Sequence, residues 1–306
     1  MFSFLQSDPE AQSRLWHEAN RLAFGDAWKK EVARVTKGVP SAQQAAQVLW
    51  DMFDLGQLPK GLVPFHLTED GGASESAFEA HLRSWNNVMP NGGHVWFTVQ
   101  EARRAQIQEH LANAAESFNF QLHLPSQDPA TDTPMLDDAG AWITDAQGEV
   151  VRRPGGHGAL LPLLEQVMTP FVVIRNIDNA PSPSCTEERL LWTQAMVEEA
   201  QAWAREREGW RVRLGARGDV CSECVAWLNR AGAGLTSTPT LQDCVDWLTR
   251  PMRLVGVVRN EGQPGGGPFW VRVSDGPDAG LVRPQIVEAV EFTHETHDVL
   301  GAATHF

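Results

Sequence analysis

Five short segments of this chain carry residue types at spacings that suit phosphate chemistry. The first is Leu58-Pro59-Lys60-Gly61-Leu62-Val63-Pro64-Phe65-His66. A lysine ahead of a glycine presents its ammonium as a compact point charge, a group that meets phosphates. The second runs from Gln127-Asp128 through Asp132-Thr133 to Asp137-Asp138, where a polar side chain such as Gln127 can read a base edge or a hydroxyl. The third is Arg152-Arg153-Pro154-Gly155-Gly156-His157-Gly158-Ala159-Leu160-Leu161. Glycines at the start of a helix allow close backbone approach, and the N–H groups and dipole there favour an anion. The fourth, Val172 to Asn179, ends an apolar run in Asn176-Ile177-Asp178-Asn179. A carboxylate at that point is a hard oxygen ligand suited to Mg²⁺ that also holds phosphates. The fifth, Arg259 to Val271, sets Arg259-Asn260-Glu261 before Gly265-Gly266-Gly267. Arg259 could clamp phosphate, Glu261 could hold a sugar hydroxyl or a metal, and Gly265 and Gly266 could donate backbone N–H groups. Each segment also has a plainer reading, as a surface turn, an acidic loop or a flexible hairpin.

Two other groups are weaker. Cys221 and Cys224 fall one turn apart on an expected helix, and Cys185 and Cys244 stand apart from them. No four-ligand zinc set is spaced in the sequence, so neither zinc nor redox chemistry is expected of the pair. His294, His297 and His305, with Glu291 and Glu295, form a polar C-terminal group expected to be solvated rather than metal-binding.

The elements that position these residues are read from composition and periodicity. The chain has 306 residues, 25 Lys and Arg against 39 Asp and Glu, and a formal net charge of −14. It lacks the basic field that draws proteins to phosphate backbones or anionic membranes, so neither nucleic acid nor membrane is an expected partner. With 42% hydrophobic residues it can build a core. No apolar run reaches the roughly 18 residues of a membrane span. The start, from Met1 to Pro9, does not read as a secretory leader. Few cysteines suit a reducing cytoplasm, the expected location. The absence of Tyr excludes any mechanism that needs a phenol.

Residues 1–57 read as helical, with a break and a cap at Pro40-Ser41. From 58 to 180, short apolar runs alternate with amphipathic ones. Strands are expected over 61–66, 94–99, 118–124 and 171–174, and helices over 77–88, 101–115 and from the glycine turn to Met168. That alternation argues for βα units around a mostly parallel sheet covered on both faces. Residues 181–250 read as a helical insertion, and 251–306 as strands over 253–258, 269–273 and 285–292 that complete the core.

Taken together the segments resemble a bacterial family known as domain of unknown function 4301. The stretches that carry the likeness are Pro59 to His66, Phe78-Glu79-Ala80-His81-Leu82, Thr131-Asp132-Thr133, Arg153 to Leu161, Asn176 to Asn179, Arg259 to Val271 and Thr304-His305-Phe306. More distantly the chain resembles UDP-sugar pyrophosphorylases, nucleotidyltransferases of the GT-A type. Their Pro-Lys-Gly-Leu-x-Pro, Phe-x-Gln, Gly-His-Gly and Asn-x-Asp-Asn blocks are similar to Pro59–Pro64, Leu124–Gln127, Gly156–Gly158 and Asn176–Asn179. The second match is loose, because Leu-Pro-Ser-Gln stands in place of Phe-x-Gln.

The resemblance implies a three-layer, Rossmann-like α/β fold of the nucleotide-diphospho-sugar transferase type. It implies that Lys60 faces phosphates, that Gln127 reads the base, and that Gly156, His157 and Asn176 line a nucleotide-sugar site. Asp178 would hold Mg²⁺. The pyrophosphorylases carry a glycine-rich nucleotide loop ahead of the lysine, and residues 1–57 contain none. The likeness therefore implies a piece of a longer protein, cut before Met1 and after Phe306. The expected reaction joins a sugar 1-phosphate to a nucleoside triphosphate, giving a nucleotide sugar and pyrophosphate. The alternative is a protein that binds a nucleotide sugar or another phosphate ligand without catalysis.

Overall fold

The computed structural model describes residues 4–55, 58–68, 74–137, 139–180, 186–235, 238–261, 266–276, 279–293 and 296–305. The chain divides into two units, Met1–Leu191 and Trp192–Phe306.

The first unit opens with helices α1 (Phe4–Ser7), α2 (Pro9–His17), α3 (Gly25–Val35) and α4 (Ala42–Met52). Local sequence sets their starts. The Asp8 carboxylate accepts from the N–H groups of Glu10 and Ala11, and Pro9 takes the first turn, where its missing N–H is no loss. Ser41 and Gln44 close a capping box on α4, so the expected break at Pro40-Ser41 is present. Trp28, Val32, Ala45, Ala46 and Leu49 fill the shared core. The Trp28 indole N–H donates to the Ala45 carbonyl at 2.8 Å, which satisfies the polar edge of the largest buried side chain. Phe65 packs tilted against Phe24 and edge-on against Phe53 and ties the Lys60 segment to this core.

Lys60–Leu62 is a 3₁₀ turn, not the strand expected over 61–66. A Cβ on Gly61 would lie 2.6 Å from the Phe78 ring, so packing rather than pairing fixes this turn. Only β1 (His66–Leu67) is extended, antiparallel to β2 (Ser74–Glu75). Helix α5 (Ala77–Val88) starts at a Ser76–Glu79 capping box. It is deeply buried: Phe78, Ala80, His81, Leu82 and Ser84 are all sequestered. Strand β3 (Gly93–Trp96), helix α6 (Arg104–Ser117) and strand β4 (Phe120–His123) form a parallel β-α-β unit. The pairing continues to a Val99–Ser126 bridge. Val95, Val99 and Phe120 pack with Leu82, Ile107 and Leu111. Alternation turns His94 and Trp96 to the other face, which is exposed.

Beyond β4, β5 (Thr133–Pro134) pairs antiparallel with β6 (Arg152–Arg153). A 3₁₀ turn over His157–Leu160 leads into α7 (Leu161–Leu164), the short helix expected after the glycines. The unit boundary falls within the long helix α8 (Thr186–Arg217). In the second unit α9 (Ser222–Arg230) and α10 (Leu241–Thr249) enclose Leu214, Cys224, Trp227, Leu228, Cys244 and Leu248. Strands β7 (Gly267–Arg272) and β8 (Val282–Val287) make an antiparallel hairpin, and α11 (His297–Gly301) follows.

The chain is thus α/β. Among the described residues each sheet has two strands, and β3–β4 is the parallel one, so a single mostly parallel three-layer sheet is not formed among them. The runs 171–174 and 253–258, expected as strands, are not strands there. Phe171, Val172, Val173 and Ile174 are 45–71% exposed, and Leu254, Val255, Val257 and Val258 are 44–59% exposed. A β-branched run becomes a strand only beside a neighbour that completes its hydrogen bonds. No described helix is long and apolar enough to cross a membrane.

Where α5 begins, His110 Nε2 of α6 lies 3.2 Å from the Glu79 carboxylate and 3.0 Å from Ser76 Oγ. The hydrogen bond from His110 brings the Glu79 carboxyl down to about 2, and Glu79 raises the His110 imidazole above its ordinary value. One partner is depressed and the other elevated relative to the unfolded chain. The pair's contribution is therefore complete between the unfolded values, about 4.3 and about 6.5. It declines as pH rises through the elevated His110 value, or falls toward that of Glu79. His110→Gln should lower the urea midpoint clearly at about pH 5.5 and much less at about pH 8.5. Equal losses at both would assign the effect to packing alone.

Candidate functional site

Ligands of α/β proteins gather at the carboxyl ends of parallel strands. Gln127 lies there, one residue past the bridge that ends the β3–β4 pairing. Ser126 is pinned first: its hydroxyl donates to Glu101 Oε2 at 2.8 Å and accepts from Arg104 Nη2 at 3.0 Å. Gln127 Nε2 then donates to Thr131 Oγ1 at 2.9 Å. The β5–β6 ladder brings Arg152 and Arg153 beside Thr133 and Pro134, and Arg152 Nη1 donates to the Asp132 carbonyl at 3.2 Å. The second and third sequence segments therefore meet. Gly155 is their point of contact, since a Cβ there would sit 2.7 Å from the Thr131 carbonyl oxygen and 3.0 Å from Ala159 Cβ. Gly156 and Gly158 differ. Neither has a positive φ, and an added Cβ would meet nothing within 4 Å. Packing does not require glycine at either place. Arg152, Arg153, Gly156, His157 and Gly158 are all exposed.

The fourth segment docks on α5. Asn176 Oδ1 accepts from the Asp178 N–H at 3.2 Å and the Asn176 carbonyl accepts from the Asn179 N–H at 3.1 Å, a turn that asparagine favours. His81, 2% exposed, donates from Nε2 to the Ile177 carbonyl at 3.2 Å. A carbonyl only accepts, so this nitrogen carries the proton. Arg175 donates to Ser84 Oγ at 3.0 Å and lies 4.0 Å over the Trp85 ring. Arg189 donates to the Asn179 carbonyl at 2.9 Å. Burial first, then the charges of Arg175, Arg189 and His66, hold the His81 imidazole below its usual value. Burial and Arg189 lower Arg175 likewise. Two guanidinium groups, Arg175 and Arg189, therefore stand by the Asn176–Asn179 turn, while His81 is held toward its neutral form. Asp178 is exposed. Among the described residues no three His, Cys, Asp or Glu side chains are grouped to hold a metal. Mg²⁺ at Asp178 would take most of its shell from phosphates and water.

Lys60 opens the 3₁₀ turn that packs on α5. The remaining predicted residues belong to the second unit. Arg259 forms an isolated antiparallel bridge with His305, and the Asn260 N–H donates to the Thr304 carbonyl at 2.8 Å. Glu261 is exposed. Gly266 has a packing reason, because a Cβ there would lie 2.4 Å from the Val287 carbonyl oxygen. Gly265, Cys185, His294 and Glu295 lie outside the described residues. Cys221 sits at the N-cap of α9 rather than within the helix, and Cys244 is not isolated but packs with Cys224 in one core.

A family model described as Domain of unknown function (DUF4301) matches residues 9–205 and 222–306. The chain belongs to this family. No curated protein and no solved structure matches it. The DUF4301 match spans both clusters of the first unit.

Sequence reasoning missed His81, Ser84, Arg175 and Arg189 as neighbours of the Asn176 turn. His81 stands in a stretch that carries the family likeness, yet its role depends on a contact 96 residues away. It also missed the exposed face of β3–β4. There His94 Nδ1 and His123 Nε2 are 2.9 Å apart, and the Trp96 ring stacks on His123 at 4.2 Å. The signal was present as alternation, with His94 and Trp96 out and Val95 in. Gly155→Ala should cost about 1–3 kcal/mol, because the turn must move off the Gln127 loop. Gly156→Ala and Gly158→Ala should each stay within about 0.5 kcal/mol of the parent in urea denaturation.

Proposed function

We propose that this DUF4301 member is a nucleotidyltransferase-like protein that binds a nucleotide sugar, or the sugar phosphate and nucleotide it is made from, in its first unit. The observation that carries this reading is the pair Gly156 and Gly158, glycines that neither packing nor φ calls for. They lie on an exposed turn that follows Arg152 and Arg153, and it is the neighbouring Gly155 that packs near Gln127. Close approach by a ligand is a reason for glycine there that the fold itself does not supply. Gln127 meets the base, Arg153, Gly156, His157 and Gly158 meet the nucleotide sugar, and Asn176, with Arg175 and Arg189 nearby, meets phosphate.

In the reaction, an oxygen of the sugar 1-phosphate attacks the nucleotide α-phosphorus. The new P–O bond forms in line as the bond to pyrophosphate breaks. Lys60 neutralises charge on the phosphates, and Asp178 would hold a Mg²⁺ that would neutralise more of it. The fold behind this reading is the three-layer GT-A sheet. It is supported by the parallel β3-α6-β4 unit and by the exposed apolar run 171–174, which has the composition of a further strand. A cytoplasmic location fits the few cysteines. Binding without catalysis is the second reading.

Thermal unfolding of the whole chain with UDP-glucose, UTP, glucose 1-phosphate or no ligand, each with and without Mg²⁺, tests the proposal. Ligand at about 100 times Kd should add about 2.7 kcal/mol of stability. Gly156→Ala with Gly158→Ala should lose that gain while melting normally alone, and Asp178→Asn should lose only its Mg²⁺-dependent part. Pyrophosphate release from UTP and glucose 1-phosphate separates the enzyme from the binding protein. A melting temperature that no phosphate ligand moves would falsify both.

A further inference from the structure

The three described cysteines lie together in the second unit, in a place the proposed reaction does not use. Cys221 is the N-cap of α9, with φ −111° and ψ 147°, and Cys224 is residue N3. In α4, α5 and α10 the same two positions hold Ser41 and Gln44, Ser76 and Glu79, and Thr240 and Asp243, and in each the two side chains close a capping box. Side chains at these positions therefore lie over the same first turn. In α9 both are thiols, and the N-cap side chain makes no capping hydrogen bond. Serine or threonine is what a helix start prefers, so capping does not account for the cysteine.

The thiols differ in access. Cys221 is partly exposed, whereas Cys224 and Cys244 are fully buried. The Cys224 thiol shares one buried cluster with Cys244 of α10. Burial first, then the neighbouring thiols, push Cys224 up to about 11, and burial raises Cys244 as well. Both buried thiols therefore stay protonated at neutral pH, and a reagent from solvent reaches Cys221 first. An accessible thiol at a helix start, with a buried thiol one turn along, is the arrangement that thiol–disulfide exchange needs.

We propose that Cys221 and Cys224 form a dithiol–disulfide site that exchanges with small disulfides of the glutathione class. The Cys221 thiolate attacks one sulfur of the small disulfide. A mixed S–S bond forms, the original one breaks, and one thiolate leaves. Cys224 then gives up its proton, which the departing thiolate takes. Its sulfur attacks that of Cys221, so that the Cys221–Cys224 bond closes and the second small thiol leaves. Two electrons pass from the cysteine pair to the small disulfide, and two small thiols reverse the reaction. Cys244, buried in the same core as Cys224, is not itself joined.

The whole folded chain is incubated with oxidised glutathione at neutral pH, its remaining thiols are alkylated, and its peptides are mapped by mass spectrometry. Wild type should give a Cys221–Cys224 disulfide that reduced glutathione reopens. Cys224→Ser should instead accumulate glutathione on Cys221, and Cys221→Ser should leave Cys224 and Cys244 as free thiols. Should the buried serine unfold α9, Cys224→Ala with an unchanged circular dichroism spectrum serves in its place. Any of four results overturns the proposal: all three thiols alkylate freely after the incubation; wild type holds glutathione on Cys221 without closing; the bond found joins Cys224 to Cys244; or stoichiometric zinc on the purified protein blocks oxidation until it is chelated.

Discussion

Much of the first unit is organised by the need to satisfy the polar groups of one buried helix. Helix α5 is covered on several sides, yet its sequence includes Ser76 at the cap, Glu79, His81 and Ser84. A polar group taken out of water without a partner costs more than a hydrogen bond returns, so each must find one. Ser76 and Glu79 use His110, 34 residues on. His81 uses the Ile177 carbonyl, 96 residues on, and Ser84 accepts from Arg175, 91 residues on. These contacts hold α6 and the Asn176–Asn179 turn to the same helix. The turn's position therefore follows from hydrogen-bond completion on α5, and Arg175, which completes one of those bonds, is also a positive group beside it.

The helices were legible because their signals are local. Ser41, Ser76 and Thr240 stand where capping boxes form, and the span of α5 follows from its cap and apolar spacing. Strands were legible only in part. The runs that became β3 and β4 read correctly, since a helix of suitable length separates them and parallel pairing needs such a crossover. The runs 61–66, 171–174 and 253–258 have strand composition too. Composition records what a residue tolerates on a pleated surface, and it does not record whether a neighbouring strand arrives. At Gly61 the Phe78 ring decided the outcome instead.

The candidate site shows the same division. The glycines and arginines of the third segment stand out in the sequence, and the structure joins them to Gln127 through the β5–β6 ladder. His81, Arg175 and Arg189 carry no comparable sequence signal. Each is a single polar residue whose meaning comes from burial and from a distant partner. The cysteines are a third kind of case. Their Cys-x-x-Cys spacing was plain, but its chemistry turns on whether the first thiol caps the helix or lies inside it, and helix boundaries are read less reliably than helices.

The difference between Gly155 and its two neighbours also bears on how this sequence can drift. A methyl group at 155 collides with the Thr131 carbonyl whatever the protein does for its host, so selection for folding alone retains that glycine. At 156 and 158 the fold exerts no such pressure. Descendants that keep the ligand proposed for this turn should keep all three glycines. Lineages that have abandoned it should accumulate alanine or serine at 156 and 158 while 155 stays fixed. The three adjacent sites form an internal control, in which substitution at two, measured against constancy at the third, dates the loss of a function separately from the loss of a fold.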